Sequence, residues 1–192
     1  NRCLVLFAEA KGIEKGREVR IDCTVVESNI HEPSDSTLLY DSVRVLTRVL
    51  KKAKDLLPHA GIHLQDHTRR AKRRVLNIQY AKNKKQRQAY YKDLLKVSHL
   101  TVTYAQQAVD VLQYNPDITA MALCNDLQQT IVLALRVIDQ TEKRVLHGLS
   151  VPATEKVLSI FEPHTDIIIK DRRDIFFGHK TCFTGGRSNL IT

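Results

Sequence analysis

The stretch Arg17–His31, REVRIDCTVVESNIH, decides how the rest of the chain is read. Val19, Ile21, Cys23 and Val25 alternate with Arg20, Asp22, Thr24 and Val26. Alternation with a period of two, in a run rich in β-branched residues, predicts a strand that carries Asp22 and Thr24 on one face. Gly12 and Gly16 lie just before it and turn the chain into it. A carboxylate inside an apolar strand is costly to bury unless a metal ion or another partner compensates its charge. Asp22 is therefore either a functional carboxylate or the outward residue of an edge strand.

On the N-terminal side, residues 3–15 have a helical pattern, with Leu4, Phe7, Ala8 and Ile13 on one side. On the C-terminal side, Pro33 disfavours helix at Glu32, and Ser34, Asp35 or Ser36 is placed to cap the next helix. From Thr37 to Leu57, Leu39, Val43, Leu46, Leu50, Ala53 and Leu57 recur at spacings of three and four, the pattern of an amphipathic helix. Pro58 and Gly61 close it. A second helix is predicted over 66–80. A third, over 84–114, has Tyr90, Leu94, Val97, Thr101, Tyr104, Ala108 and Val111 as its inward stripe. A fourth, over 117–146, carries Leu123, Leu127, Ile131, Leu135, Ile138 and Val145. Long helices with short connections predict an antiparallel bundle or a pair of hairpins.

At Gly148 the pattern reverts. VLSIFEP (157–163), HTDIIIKD (164–171) and FFGHKTCFTGG (176–186) read as short strands, with a turn at Asp171–Asp174 between the last two. The fold class is thus mixed α/β, a sheet interrupted after its first strand by an all-α insertion of about four helices. Residues 1–36 and 149–192 form one discontinuous domain in this reading, and 37–148 the insertion. The first residue is Asn, and the closing SNLIT reads as a strand just starting, so the sequence is expected to be a fragment.

Apolar content of 43% and charged content of 27% are those of a globular chain with a core. No uninterrupted apolar run approaches the ~20 residues of a membrane span, so no membrane partner is expected. Cys3, Cys23, Cys124 and Cys182 are scattered without a CxxC pair, which fits reduced thiols in a cytosolic setting. His59, His63 and His67 are spaced four apart, but Pro58 and Gly61 break the helix that would align them on a metal. The GxGxxG, P-loop and GxSxG motifs are all missing.

The charge is uneven. Between Asp66 and Lys96 stand eleven Lys or Arg against two acids, an excess equal to the net +9 of the whole chain. The tract includes Arg69, Arg70, Lys72, Arg73, Arg74, Lys82, Lys84, Lys85 and Arg87. A concentrated basic tract on an otherwise balanced chain is the footprint of a polyanion binder; the alternative is a solvated helical face.

The strings VRIDCTVVESNIHEPSDSTLLYDSVRVLTRVL (19–50) and SIFEPHTDIIIKDRRDIFFGHKTCFTGG (159–186), with VIDQTEKRVL (137–146) between them, resemble the catalytic domain of bacterial insertion-sequence transposases. These belong to the DDE class, with an RNase H-like fold. Two separated motifs carry the resemblance, the D-x-T strand at Asp22–Thr24 and the G-H-K strand at Gly178–Lys180. It implies a partial RNase H-like sheet in which Asp22 is the first catalytic and metal-binding carboxylate. In the family, that Asp joins a second Asp and a Glu around two Mg²⁺ (or Mn²⁺) ions. The ions activate water, and then a 3′-hydroxyl, for attack on DNA phosphodiesters, a use of paired ions that stabilises entering and leaving oxygens.

The other two ligands are expected beyond Thr192, and none of Glu27, Glu162, Asp166, Asp171 and Asp174 is assigned that role. His31 and Lys180 match family positions and are read as near-site phosphate contacts. The implied partners are insertion-sequence ends and target DNA in a bacterial, nucleoid-associated cytoplasm, with a homo-oligomer allowed for the full-length protein. The alternative, from a different class, is a non-catalytic nucleic-acid-binding helical protein or an inactive transposase remnant.

Overall fold

The computed structural model describes residues 2–13, 19–170 and 174–185. In chain order the described elements are α1 (Arg2–Ala10), β1 (Arg20–Glu27), α2 (Asp35–Leu56), α3 (Thr68–Gln79), α4 (Lys84–Leu112), α5 (Ile118–Thr141), β2 (Asp166–Lys170) and β3 (Asp174–Gly185). The chain divides into two compact units, one of residues 1–29 with 165–192, the other of residues 30–164. The fold is mixed α/β.

The helical unit is built around α2. Ser34 is its N-cap, accepting from the Thr37 backbone N–H while Thr37 Oγ1 accepts from the Ser34 N–H, a reciprocal box that satisfies two orphan donors. Leu39, Val43, Leu46, Leu50 and Ala53 are fully buried, as their spacing predicts. Leu38, Val45 and Val49, on other sides of the same helix, are buried too. α2 packs against α3, α4 and α5, so almost its whole circumference lies inside. Between Asp35 and Leu50 only Arg44 and Arg48 are exposed.

Asn83 caps α4 and Asp117 caps α5, each accepting from backbone N–H groups of the first turn. On α4, Leu94, Val97, Thr101 and Ala108 are buried, with Tyr90, Tyr104 and Val111 partly so. Polar residues enter this core because Ser42, Ser98, Thr101 and Thr141 each donate to the carbonyl four residues earlier, which satisfies the hydroxyl within its own helix. On α5 the inward stripe passes through Ala134 instead of Leu135, which is 40% exposed. The helix continues as a π turn over Glu142–Leu146 before Gly148, at φ 67°, ends it.

Ile118–Leu146 is long and apolar enough to cross a membrane by length and composition. The sequence shows no such uninterrupted run because Asn125, Asp126, Arg136 and Asp139 punctuate it. In the fold, Leu123, Leu127, Ile131, Val137 and Ile138 of this helix belong to the bundle core.

VLSIFEP is not a strand. After a 3₁₀ turn at Ala153–Glu155 the chain lies against the bundle, with Val157, Leu158 and Ile160 buried. Its backbone finds a side chain where a strand would need a neighbour. Gln140, itself buried, accepts from the Val157 N–H (3.0 Å) and donates to the Val157 carbonyl (3.3 Å) and to Asp35 (3.3 Å). Arg144 donates to the same Asp35 carboxylate at 2.8 Å, and Arg136 to the Glu155 carbonyl at 3.1 Å. Residues 149–164 therefore travel with the helices and not with the sheet.

In the other unit, β1 and β2 pair antiparallel on either side of a central β3, in the order β1-β3-β2. Gly178 lies where β3 passes closest to β1: a Cβ there would fall onto the Val26 carbonyl oxygen. α1 is shorter than the predicted 3–15 and closes in a Schellman motif. The Ile13 N–H bonds the Ala8 carbonyl, and that of Gly12, at φ 68°, bonds the Glu9 carbonyl. Ala8 is buried, but Leu4, Phe7 and Ile13 are exposed rather than forming a covered stripe. The expected turns at Gly16 and Asp171–Arg173, and the closing SNLIT, lie outside the described residues.

Removing the Gln140 amide while keeping its bulk strands the Val157 backbone groups in a buried setting, which costs on the order of 1–3 kcal/mol. Gln140→Leu should lower unfolding stability in urea by about that amount and speed proteolysis within 149–164. An unchanged urea midpoint would show that Val157 is held by packing alone.

Candidate functional site

Because partners directly opposite in an antiparallel pair share a face, the register fixes what surrounds Asp22. Asp22 faces Phe183, Thr24 faces Thr181, and Val26 faces His179. The same face of β3 continues through Phe177 and Ile175, opposite Ile167 and Ile169 of β2. Among the described strand residues, Asp22 is the only carboxylate on its face. Glu27 and Asp166 both lie opposite Gly178, and Asp174 opposite Lys170, all on the other face.

Asp22 itself is exposed, as an outward strand residue would be. The described residues contain no group of three or more His, Cys, Asp or Glu able to hold a metal ion. One exposed carboxylate, with Phe183 opposite it and Thr24 and Thr181 next along the face, does not meet the requirement of Mg²⁺ for converging hard oxygens, so the residues described do not by themselves form the implied metal centre.

Of the two expected near-site contacts, the strand register locates Lys180 on the sheet, and an ion contact locates His31 within the helical unit. Lys180 stands opposite Val25, on the sheet face away from Asp22; His179, its neighbour, is the G-H-K residue that shares the Asp22 face. His31 is committed to Asp41 on α2, with Nε2 3.4 Å from the carboxylate. Asp41 is 4% exposed and also receives Arg44 at 3.0 Å. Its burial raises the carboxyl above the usual range, and Arg44 and His31 only partly offset that.

The histidines at 59, 63 and 67 do not converge on a metal. His67 is buried just before α3 and stacks on Tyr104, which His63 meets edge-on. Burial, reinforced by Arg70, lowers the His67 pKa.

The basic tract separates into paired and unpaired cations. Arg70 and Arg74 both grip Asp93 of α4, Arg74 at 2.5 Å, and Arg74 also lies over the Tyr90 ring. Hydrogen bonds from Arg70 in particular hold the Asp93 carboxyl below its ordinary range. Asp66 does not neutralise the arginines either. Lys51 of α2 at 2.5 Å and the Thr68 backbone N–H at 2.9 Å take it, and together they hold its pKa down to about 2.

Arg69, Lys72 and Arg73 are left exposed along the outer face of α3, with no ion pair among the described residues. Asp66, Arg69, Arg70, Arg73 and Arg74 line an open cleft of about 550 Å³. Past the α3–α4 turn, Lys82, Lys84, Lys85 and Arg87 continue the exposed charge at the start of α4, whose N-terminal dipole has the same sign. Sequence reasoning placed all nine cations in one class. The signal that would have divided them is the position of Asp93, which falls on the α4 surface facing Arg70 and Arg74.

The raised Asp41 carboxyl carries a pH signature. Its native pKa lies above its unfolded pKa, so between the two the native state binds the extra proton and stability falls as pH rises. Asp41→Asn removes this titration. The variant should gain stability relative to wild type between pH 4 and pH 7 in urea unfolding; a relative loss over that range would show that the Arg44 and His31 pairs outweigh burial.

No protein-family model, no curated protein and no solved structure matches this chain.

Proposed function

We propose that the chain handles DNA as part of a transposase of the DDE type, with the helical unit holding the DNA backbone and β1 supplying the first carboxylate of the reaction centre. The observation that carries the DNA-binding part is the unpaired ridge of Arg69, Lys72 and Arg73, continued by Lys82, Lys84, Lys85 and Arg87. Cations held in internal ion pairs are already neutralised, whereas exposed unpaired ones are available to displace counterions from phosphates. Exposed Lys and Arg along a helix face suit backbone contact rather than base reading.

The catalytic part rests on the resemblance of the D-x-T and G-H-K strings, and two structural facts are consistent with it. Those strings lie on paired strands, β1 and β3, and Asp22 is exposed on its strand. The sheet would be the start of an RNase H-like sheet. The chemistry would be strand cleavage and transfer at insertion-sequence ends, in a bacterial, nucleoid-associated cytoplasm. Mg²⁺ or Mn²⁺ would supply Lewis-acid activation once further carboxylates joined Asp22. The role of this chain's own residue is to hold one hard anionic oxygen at a fixed point of a hydrogen-bonded strand.

The second reading, a nucleic-acid-binding protein without catalysis, is favoured by the single carboxylate that the described strands place on the Asp22 face. The two readings part at Asp22.

Duplex binding measured across a salt series should give a steep inverse dependence. Replacing Arg69, Lys72 and Arg73 together by Gln should reduce the slope of log K against log salt by about 3, while Arg70→Gln and Arg74→Gln should alter stability more than slope. An unchanged slope in the triple variant would make the ridge a solvated face. In a transposase that carries this chain together with the further carboxylates, Asp22→Asn should abolish metal-dependent cleavage of transposon ends and leave DNA affinity unchanged. Retained cleavage would remove Asp22 from the centre and leave the binding reading.

A further inference from the structure

Cys23 and Cys182 are direct cross-strand partners in the β1–β3 register, 159 residues apart in sequence. Their sulfurs approach to 2.7 Å on the sheet face opposite Asp22. Facing residues of an antiparallel pair have Cα atoms about 4.5–5.5 Å apart, within the span a disulfide tolerates. Both thiols are free; Cys182 is exposed and Cys23 partly so, and each is therefore reachable by a small molecule. Cys3 and Cys124 have no such partner among the described residues, and Cys124 is buried in the bundle.

We propose that Cys23 and Cys182 are a redox pair that closes to a cross-strand disulfide by exchange with a small-molecule disulfide such as oxidised glutathione. The exposed Cys182 thiolate attacks the disulfide, forming a mixed disulfide and releasing one glutathione thiolate. The Cys23 thiolate then attacks Cys182 Sγ, the protein disulfide forms, and the second glutathione thiolate leaves. The two protein thiols lose two protons and two electrons; the oxidant takes up both pairs as two molecules of glutathione.

The order of the steps comes from the exposure of each thiol. Cys182 is exposed and Cys23 only partly so, which makes Cys182 the entry point and Cys23 the resolving thiol. Closure ties β1 covalently to the central strand at the residue beside Asp22, so the register of the Asp22 strand can no longer slip. The thiol pair stands whether or not the chain belongs to a transposase.

The test equilibrates the full chain in buffers of reduced and oxidised glutathione, blocks free thiols and maps the peptides by mass spectrometry. The expected product is a Cys23–Cys182 linked peptide pair within a monomer. At fixed oxidised glutathione, a tenfold drop in reduced glutathione should raise the oxidised-to-reduced ratio about a hundredfold, the signature of two thiols released per bond formed. Cys182→Ser should leave Cys23 able only to carry glutathione, with about a tenfold response. Amides of residues 21–25 should exchange more slowly in the oxidised chain. Separate glutathione adducts on the two cysteines of the wild-type chain, with the tenfold response, would overturn the proposal, as would a linkage between two copies. Should the Ser variant fail to fold, the response of the wild-type chain alone decides.

Discussion

The near-complete burial of α2 is the constraint that shapes the helical unit. A helix with one apolar stripe needs one neighbour, but Leu38, Val45 and Val49 as well as Leu39, Leu46 and Leu50 must leave water. Each fully buried side chain of this kind contributes about 1.5–3 kcal/mol, so leaving one side of α2 uncovered would cost several such contributions. The arrangement that covers it places α3, α4 and α5 around it. Asp35 and Asp41 enter with it, and each is given side-chain partners, Arg144 for the first and Arg44 with the His31 ring for the second. Gln140 then closes the N-terminal end of α2 by joining Asp35 to the returning segment at Val157.

That packing also decides which charges remain for a partner. The α3 surface turned toward α4 meets Asp93, and Arg70 and Arg74 are consumed there as braces between two helices. Turned the other way, Arg69, Lys72 and Arg73 meet no acid among the described residues. One helix thus carries a paired row and an exposed, unpaired row of cations, set apart by about a hundred degrees of rotation per residue. An electrostatic footprint read as a single tract is, in three dimensions, smaller and better defined.

The sheet divides its faces in the same way. Pairing in register puts Asp22 with His179 and the threonines on one side, and Cys23, Lys180 and Cys182 on the other, with Glu27 and Asp166 flanking Gly178. Gly178 is a glycine because the two strands come too close there for a side chain. The G-H-K string is therefore three residues with three separate assignments: close approach, the Asp22 face and the opposite face.

Much of the secondary structure was legible in the sequence, because apolar spacing reports burial directly. The alternation around Asp22, the three- and four-residue spacing of α2, and the breaks at Pro58, Asn115 and Gly148 all correspond to elements or their ends. The mixed α/β class came from their order. The sequence by itself also determined where the charge is concentrated and that Asp22 lies on a strand. Only the tertiary structure decided that VLSIFEP is not a strand, since an apolar run can be buried against helices when a side chain such as Gln140 satisfies its backbone. It alone decided that His31 belongs to Asp41, that Lys180 faces away from Asp22, that Arg70 and Arg74 are braces, and that Cys23 meets Cys182. Each of these is a pairing between residues on different elements. Local spacing sets the face a side chain occupies on its own element; which face of which other element lies opposite is set by the global requirement to bury apolar surface and satisfy buried polar groups at once.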